Sequence, residues 1–407
     1  MVSTIYIIST ADTKGDETAF LRDRIEAQGG TAKVIDFGVM ADPAIAVDVS
    51  AAEVAKAGGA DLDALRASKK REQASAAMTR GMISIVLAKL KSGDVHGVIG
   101  LGGTQGTAAG TAVMQALPYG LPKVMVSTMA SGDTSGYVGN RDITMMFSVS
   151  DILGLNPFLR NVLNNAAGAI VGMADASAKV TYASERPVVG MTNLGVLTQG
   201  TMHAIQKLND AGYEAIVFHA VGSGGAAMEA MMREGVVTAV FDYALGELTD
   251  QMFGGIRASD DSRMTVAAEL GIPTVIVPGG ADHIGVLVSE ENVVPPAFAD
   301  RKVSWHNPVI LVPRTSAAEG EALMAELAKR MGHAKNCTIM LPLKGVSSYS
   351  VVGGELRDTD ADAAMFAAAH AEFADRIPVI NVNAAAEDPA FVDQAIAELI
   401  RLINAAA

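Results

Sequence analysis

A chain of 407 residues is longer than one hydrophobic core usually organises, so two domains are expected. Half of the residues are hydrophobic, 19% are charged and the formal net charge is -14, which supplies ample core and excludes nonspecific binding of nucleic acid. A lone cysteine, Cys337, excludes a disulfide framework, and the lack of a membrane-length apolar run or a basic leader predicts a cytoplasmic protein with no membrane partner.

In chain order, "STIYIIST" reads as a strand, "DETAFLRDRIEAQG" as a helix closed by Gly29 and Gly30, and "TAKVIDFG" as a second strand. Phe20, Leu21 and Ile25 are expected to face the sheet. A long helix is predicted over "SKKREQASAAMTRGMISIVLAKLKSG", with its Lys69–Arg71 run on a solvated face. The strand "VHGVIGL", the helix "TAAGTAVMQAL" and the strand "PKVMVST" follow. Ala174 to Pro187 is small, polar and proline-terminated, and is the predicted boundary between domains at 1–180 and 181–407.

Beyond that boundary, strands recur as "VVGMTNLG", "EAIVFHA", "VTAVFDYA", "PTVIVPGG", "PVILVPRT", "CTIMLPLKG" and "PVINVNA". Helical stretches such as "GEALMAELAKRMG" and "DPAFVDQAIAELIRLI" separate them. Strands alternating with helices predict an α/β chain of two Rossmann-like doubly wound domains with mainly parallel sheets. Asn193, His219, Asp242, Asp282 with His283, Arg314, Lys344 and Asn383 all fall at predicted strand ends. That edge is where open α/β sheets bind ligands, although loops are polar in any case.

Three strand-to-helix turns of the first domain suit an anion. In "STADTKGDE", Thr13 with Asp16 fits a helix-start box, and Lys14 adds a positive charge. The second turn is "GLGGTQGT", offering Gly102, Gly103, Thr104, Gly106 and Thr107, and the third is "STMASGDTSGYVG", with Ser131, Gly132 and Asp133. No G-x-x-x-x-G-K-[ST] motif exists, and Gln105 stands where the dinucleotide fingerprint needs its third glycine. Taken singly, each loop reads as a tight turn; three in one domain predict a phosphate site. Asp36, at the end of the second strand, reads equally as a ribose-binding carboxylate or an ordinary strand-end residue. Asp12 and Asp133 read as magnesium ligands or as turn-forming aspartates.

In the second domain, "FHAVGSGGAAME" places His219 at a strand end, a glycine-rich turn that reads as another anion seat, and Glu229 in the helix. One reading makes His219 a general base, with Arg314 or Lys344 clamping a substrate carboxylate. The other makes His219 a satisfied strand-end histidine and Glu229 a helix-dipole partner. The seven histidines are scattered, with no H-E-x-x-H and no cysteine pair, so a zinc site is not expected.

The motifs "ADTKGDE", "GLGGTQGT", "VSTMASGDTSGYVGNRDITMMFSVSDILGLN" and "NAAGAIVGM", together with "GYEAIVFHAVGSGGAAME", "GIPTVIVPGGADH", "NPVILVPRT", "LPLKGVS" and "DADAAMF", resemble one family along essentially the full chain. This is the Tm-one-type ATP-binding family, named for a plant protein conferring resistance to tobamoviruses; its bacterial members are mostly catalogued as an uncharacterised protein family. The resemblance implies two Rossmann-like subdomains with ATP on the first, and a TIM-barrel-like domain that follows in plants and that bacteria often encode separately. Thr104 and Gln105 replace the family's serine and glycine, and Ser350 stands near where an aspartate is usual; Asp242 and Glu247 are kept.

Two functions follow as expectations. In the first, the chain is an ATP-dependent enzyme that uses ATP and magnesium. It acts on a small carboxylate metabolite in a cleft between the domains, through His219, Glu229, Asp242, Asp282, Arg314 and Lys344, with a TIM-barrel partner and assembly as a homo-oligomer. In the second, it is a non-catalytic ATP-binding interaction module resembling the plant inhibitory domain.

Overall fold

Residues 2–68, 70–178 and 184–406 are described by the computed structural model, and the chain divides into two units, Met1–Ala183 and Ser184–Ala407. In the first, β1 (Thr4–Ser9), α1 (Gly15–Ala27) and β2 (Thr31–Asp36) lead into α2 (Ala51–Ala57), α3 (Leu62–Ser68) and α4 (Arg71–Lys91). Then come β3 (Gly97–Gly102), α5 (Thr104–Gln115), β4 (Lys123–Ser127), α6 (Ser135–Val138), β5 (Thr144–Phe147) and α7 (Pro157–Ser177). The strands form one parallel sheet in the order β2-β1-β3-β4-β5.

Both faces of that sheet are covered, so its central strands are apolar throughout rather than alternating. Leu21 and Ile25 of α1 and Leu163 and Ile170 of α7 pack on one face with Ile5 and Ile7. Val54 of α2, Met78 and Met82 of α4 and Val113 of α5 pack on the other with Tyr6 and Ile8. Helices α2 and α4 cross with their backbones in contact, because a Cβ on Gly81 would lie 1.9 Å from the Val54 carbonyl oxygen. The long predicted helix is α4, which starts at Arg71 and runs unbroken to Lys91, while Ser68 at its predicted start closes α3.

Of the expected boundary stretch, Ala174 to Ser177 form the last turn of α7, with Ala174 buried in the core. Residues 179–183 of that stretch, and Lys69 of the basic run, lie outside the described residues.

The second unit holds β6 (Val188–Asn193), α8 (Thr198–Asp210), β7 (Glu214–His219), α9 (Ser223–Arg233), β8 (Ala239–Ala244), α10 (Gly246–Phe253), α11 (Val266–Leu270) and β9 (Thr274–Gly279). It continues with β10 (Val286–Leu287), β11 (Val303–Asn307), β12 (Ile310–Pro313), α12 (Ala317–Met331), β13 (Cys337–Pro342), α13 (Thr359–Phe373), β14 (Val379–Val382) and α14 (Pro389–Ala406). Six strands form a parallel sheet, β14-β13-β9-β8-β6-β7, and β10-β12-β11 form a separate antiparallel one. "PVILVPRT" therefore lies outside the main sheet, contrary to its reading as one more parallel strand. Its strand pairs antiparallel with Val303–Asn307, a five-residue segment whose short apolar–polar alternation is the mark of a half-buried strand, though it is not among the predicted strands.

Both units are therefore Rossmann-like, and both reverse strand order beside their first strand, between β1 and β3 and between β6 and β8. The carboxyl ends of strands at such a reversal are the ligand-binding position of doubly wound sheets. No described helix is long and apolar enough to cross a membrane.

Candidate functional site

In the first unit, the strand-order reversal opens into a cavity of about 790 Å³, a size that suits a small-molecule ligand. Thr10, Asp12, Thr13 and Lys14 of the β1–α1 turn line it, facing Gly103, Thr104, Gln105 and Gly106 of the β3–α5 turn. Phe37, Val39, Leu65 and Met78 supply an apolar wall. Arg66, Lys70 and Arg71, from the end of α3 and the start of α4, add cations that were missed from the sequence. Lys70 and Arg71 were expected on a solvated face; they are exposed, yet they border the cavity because α4 begins at the carboxyl edge of the sheet.

Three helices start at this cavity without a side-chain cap: α1 after Lys14, α4 after Lys70 and α5 after Gly103. Their first ladder bonds run from Thr18 N–H to the Lys14 carbonyl, from Ala74 to Lys70 and from Thr107 to Gly103. The three N–H groups before each lie outside the helical ladder, which is the arrangement that favours an anion. The predicted Thr13–Asp16 box does not form: Thr13 Oγ1 lies 3.0 Å from Thr10 Oγ1, and α1 begins one residue later, with Lys14 at its N-cap.

The side chains expected in the site divide into those that face the cavity and those that build its frame. Lys14 lines the cavity while its Nζ donates to the Ile152 carbonyl at 2.5 Å. Asp12 Oδ2 accepts the Met40 N–H at 2.9 Å, and its Oδ1 is buried without a partner. Asp36 is fully buried, does not line the cavity, and accepts the N–H groups of Ala11 and Gly38 at 2.9 Å through Oδ1. Burial pushes the Asp36 carboxyl up, against those two hydrogen bonds. Thr107 turns inward, its hydroxyl 2.6 Å from that of Ser127, joining the ends of β3 and β4, and Gly102 packs against Gly106.

Ser131 and Gly132 sit in an exposed turn. Asp133 lines a different cavity of about 480 Å³, with Thr111, Gln115 and Tyr137. Asp12 and Asp133, expected to share magnesium, thus border separate cavities. Among the described residues, no group of three or more His, Cys, Asp or Glu is placed to hold a metal ion.

In the second unit, Glu229, Asp242 and Glu247 converge on one buried guanidinium, that of Arg263. Thr192 Oγ1 also donates to Asp242, at 2.8 Å. Glu229 accepts the Met264 N–H and lies 3.7 Å from Arg263; burial pushes its carboxyl up to about 7. The glycine turn before α9, read as an anion seat, is filled from within: Glu247 Oε1 accepts the N–H groups of Gly222 at 2.6 Å and Gly225 at 2.9 Å. Arg263 was not identified from sequence, because nothing local in "SDDSRMT" marks an arginine as buried.

A second buried chain of charges joins Asp282, His283, Arg314 and Asp362. Asp282 lies 2.9 Å from His283 Nδ1 and accepts the Ser347 hydroxyl at 2.5 Å. Arg314 Nη2 donates to Asp362 at 2.7 Å, and Nη1 lies 3.8 Å from Asp282. Burial works to raise the Asp282 carboxyl, but His283, Arg314 and Ser347 overcome it and hold it at about 2. Ser350 caps the neighbouring turn, accepting the N–H groups of Val346 and Ser347. His219, at the end of edge strand β7, and Lys344, after β13, are exposed and belong to neither chain of charges.

Residues 3–179 match the N-terminal domain of the uncharacterised protein family UPF0261, and residues 186–403 match its C-terminal domain. A UPF0261 protein of Clostridium tetani is 37% identical over 402 residues, covering 98% of each chain. Two Solanum lycopersicum proteins, the ToMV resistance protein Tm-1(GCR237) and the ToMV susceptible protein tm-1(GCR26), are each 32% identical over 380 residues, which are 88% of this chain and 50% of theirs.

Proposed function

Because this chain belongs to the uncharacterised protein family UPF0261, we propose that its first unit binds ATP with magnesium at the β1/β3 reversal. The observation that carries this reading is the cavity itself. It joins uncapped helix starts and four cations, Lys14, Arg66, Lys70 and Arg71, to an apolar wall fit for a base. Helix starts and cations suit phosphate groups, Lys14 with the α1 and α5 starts suits a 5′-polyphosphate, and Asp12 is the lining carboxylate available to a magnesium ion that keeps its remaining ligands from phosphate and water.

In this reading the protein is an ATP-dependent enzyme acting on a small carboxylate. His219 and Lys344 are the accessible groups at the second unit's carboxyl edge. Glu229, Asp242, Asp282 and Arg314 hold that edge in shape rather than meeting substrate, since each is buried and already bonded. The matched tomato proteins are about twice as long as the matched region, and the partner we propose for this chain is a TIM-barrel protein. The test is ATP turnover by the full chain with and without a candidate barrel protein and a panel of small carboxylic acids. Turnover that needs one of these additions supports the enzyme; ATP binding with no turnover in any combination favours an interaction module.

A further inference from the structure

The cavity's cations do not all belong to one turn. Lys14 enters from the β1–α1 connection, beside the glycines of the β3–α5 turn, where a 5′-phosphate chain would meet the starts of α1 and α5. Arg66, Lys70 and Arg71 enter instead from the segment that follows β2. In doubly wound folds the β2 side meets the ribose of a bound adenosine. A carboxylate there takes a free ribose hydroxyl, whereas an arginine accommodates a ribose phosphate.

The carboxylate at that position is withdrawn. Asp36 is fully buried, spends Oδ1 on the Ala11 and Gly38 N–H groups, and does not line the cavity. Cations take its place. Arg66 is held against the wall by the Ala41 carbonyl and Asp42, with its Nε buried and unpartnered. Among the described residues, Lys70 and Arg71 have no side-chain hydrogen bond or ion pair, and Glu72, the acid in the same helical turn, does not line the cavity. Two unneutralised cations beside a third, on the ribose side of a nucleotide cavity, are matched by a second anion there.

We propose that the site takes an adenosine nucleotide bearing a phosphate on its ribose as well as its 5′-phosphate chain, with Arg66, Lys70 and Arg71 as the seat of the ribose phosphate. The inference rests on the nucleotide reading above. ATP occupies the 5′ seat of the same cavity and leaves the second seat unfilled. A 2′-phosphate and a 3′-phosphate present the same chemistry to these side chains, and the test separates them.

The experiment is calorimetric titration of the full-length protein with ATP, 5′-AMP, 2′,5′-ADP and 3′,5′-ADP, repeated on the Lys70→Ala/Arg71→Ala double variant. Both positions are exposed, so the variant is checked for an unchanged melting curve before titration. The expected result is that one bisphosphate binds the wild type about tenfold or more tighter than 5′-AMP, the scale of one charge-assisted contact. The same ratio should fall to about one in the variant. Bisphosphates no tighter than 5′-AMP on the wild type, or a preference that survives in the variant, overturn the ribose-phosphate seat while leaving the nucleotide reading standing. Failure of ATP, 5′-AMP and both bisphosphates to bind overturns the nucleotide reading as well.

Discussion

Arg263 and Asp242 form a two-pronged buried ion pair, with Nη1 and Nη2 each 2.7 Å from a carboxylate oxygen and both side chains almost wholly out of water. Removing the cation strands Asp242, Glu247 and Glu229 together in a low-dielectric interior. Arg263→Ala is therefore expected to destabilise the second unit by about 3–5 kcal/mol, the usual cost of an orphaned buried charge. Chemical denaturation should show this as a lower midpoint; a variant as stable as the wild type would remove the pair's structural role.

The third acid of that cluster gives stability a dependence on pH. Burial raises the folded Glu229 carboxyl from its ordinary 4.5 to about 7. The folded state therefore holds a proton that the unfolded chain releases. Stability falls as pH rises from about 4.5 to about 7 and levels off above that, by an amount on the order of 3 kcal/mol. Glu229→Gln keeps an oxygen for the Met264 N–H and should flatten this slope. If the variant and the wild type lose stability in parallel across that window, the proton is not on Glu229.

Asp282 has the opposite sign. Its folded carboxyl is held at about 2, below its ordinary 3.8, so it contributes stability that is present above 3.8 and lost as pH falls towards 2. Asp282→Asn should cost about 2–4 kcal/mol near neutrality, by leaving Arg314 with Asp362 alone, and should blunt acid unfolding. Acid titration of the two proteins by circular dichroism distinguishes the outcomes: coincident acid midpoints would assign the acid sensitivity elsewhere.

Packing makes a separate prediction. Gly81→Ala would push a methyl group to within 1.9 Å of the Val54 carbonyl oxygen, so α2 and α4 must separate. The expected loss is about 1–3 kcal/mol, typical of an overfilled site. Thermal unfolding of the variant at unchanged midpoint would show that this crossing adjusts freely.

Much of the architecture was legible because buried parallel strands announce themselves as apolar runs, as in β1, β3 and β9, and helices such as α12 and α14 carry clear periodicity. The antiparallel β10-β12-β11 sheet was not, since "VSWHN" is short and bulged and "VL" is two residues long. At the candidate site, the turns at Lys14 and Gly103 were visible as glycine and hydroxyl clusters after strands. Arg66, Lys70 and Arg71 were hidden, because a charge run before a helix looks the same whether that end meets solvent or a cavity. The internal use of Glu247 at the Gly222 turn was hidden for a related reason: the sequence marks a helix start that wants an anion, but not which anion fills it.

Binding of ATP at the first unit's helix starts is tested most directly at Gly103. It sits at the N-cap of α5 in an extended conformation, and a Cβ there would meet only Thr128 Oγ1, at 3.7 Å. Gly103→Asp therefore fits without strain and caps α5, while placing a carboxylate in the proposed phosphate seat. Calorimetric titration of magnesium ATP into wild type and variant is the measurement. Saturable binding to the wild type is expected, and none to a Gly103→Asp protein that melts no lower; ATP binding equally to both, or to neither, would contradict a phosphate seat at the start of α5.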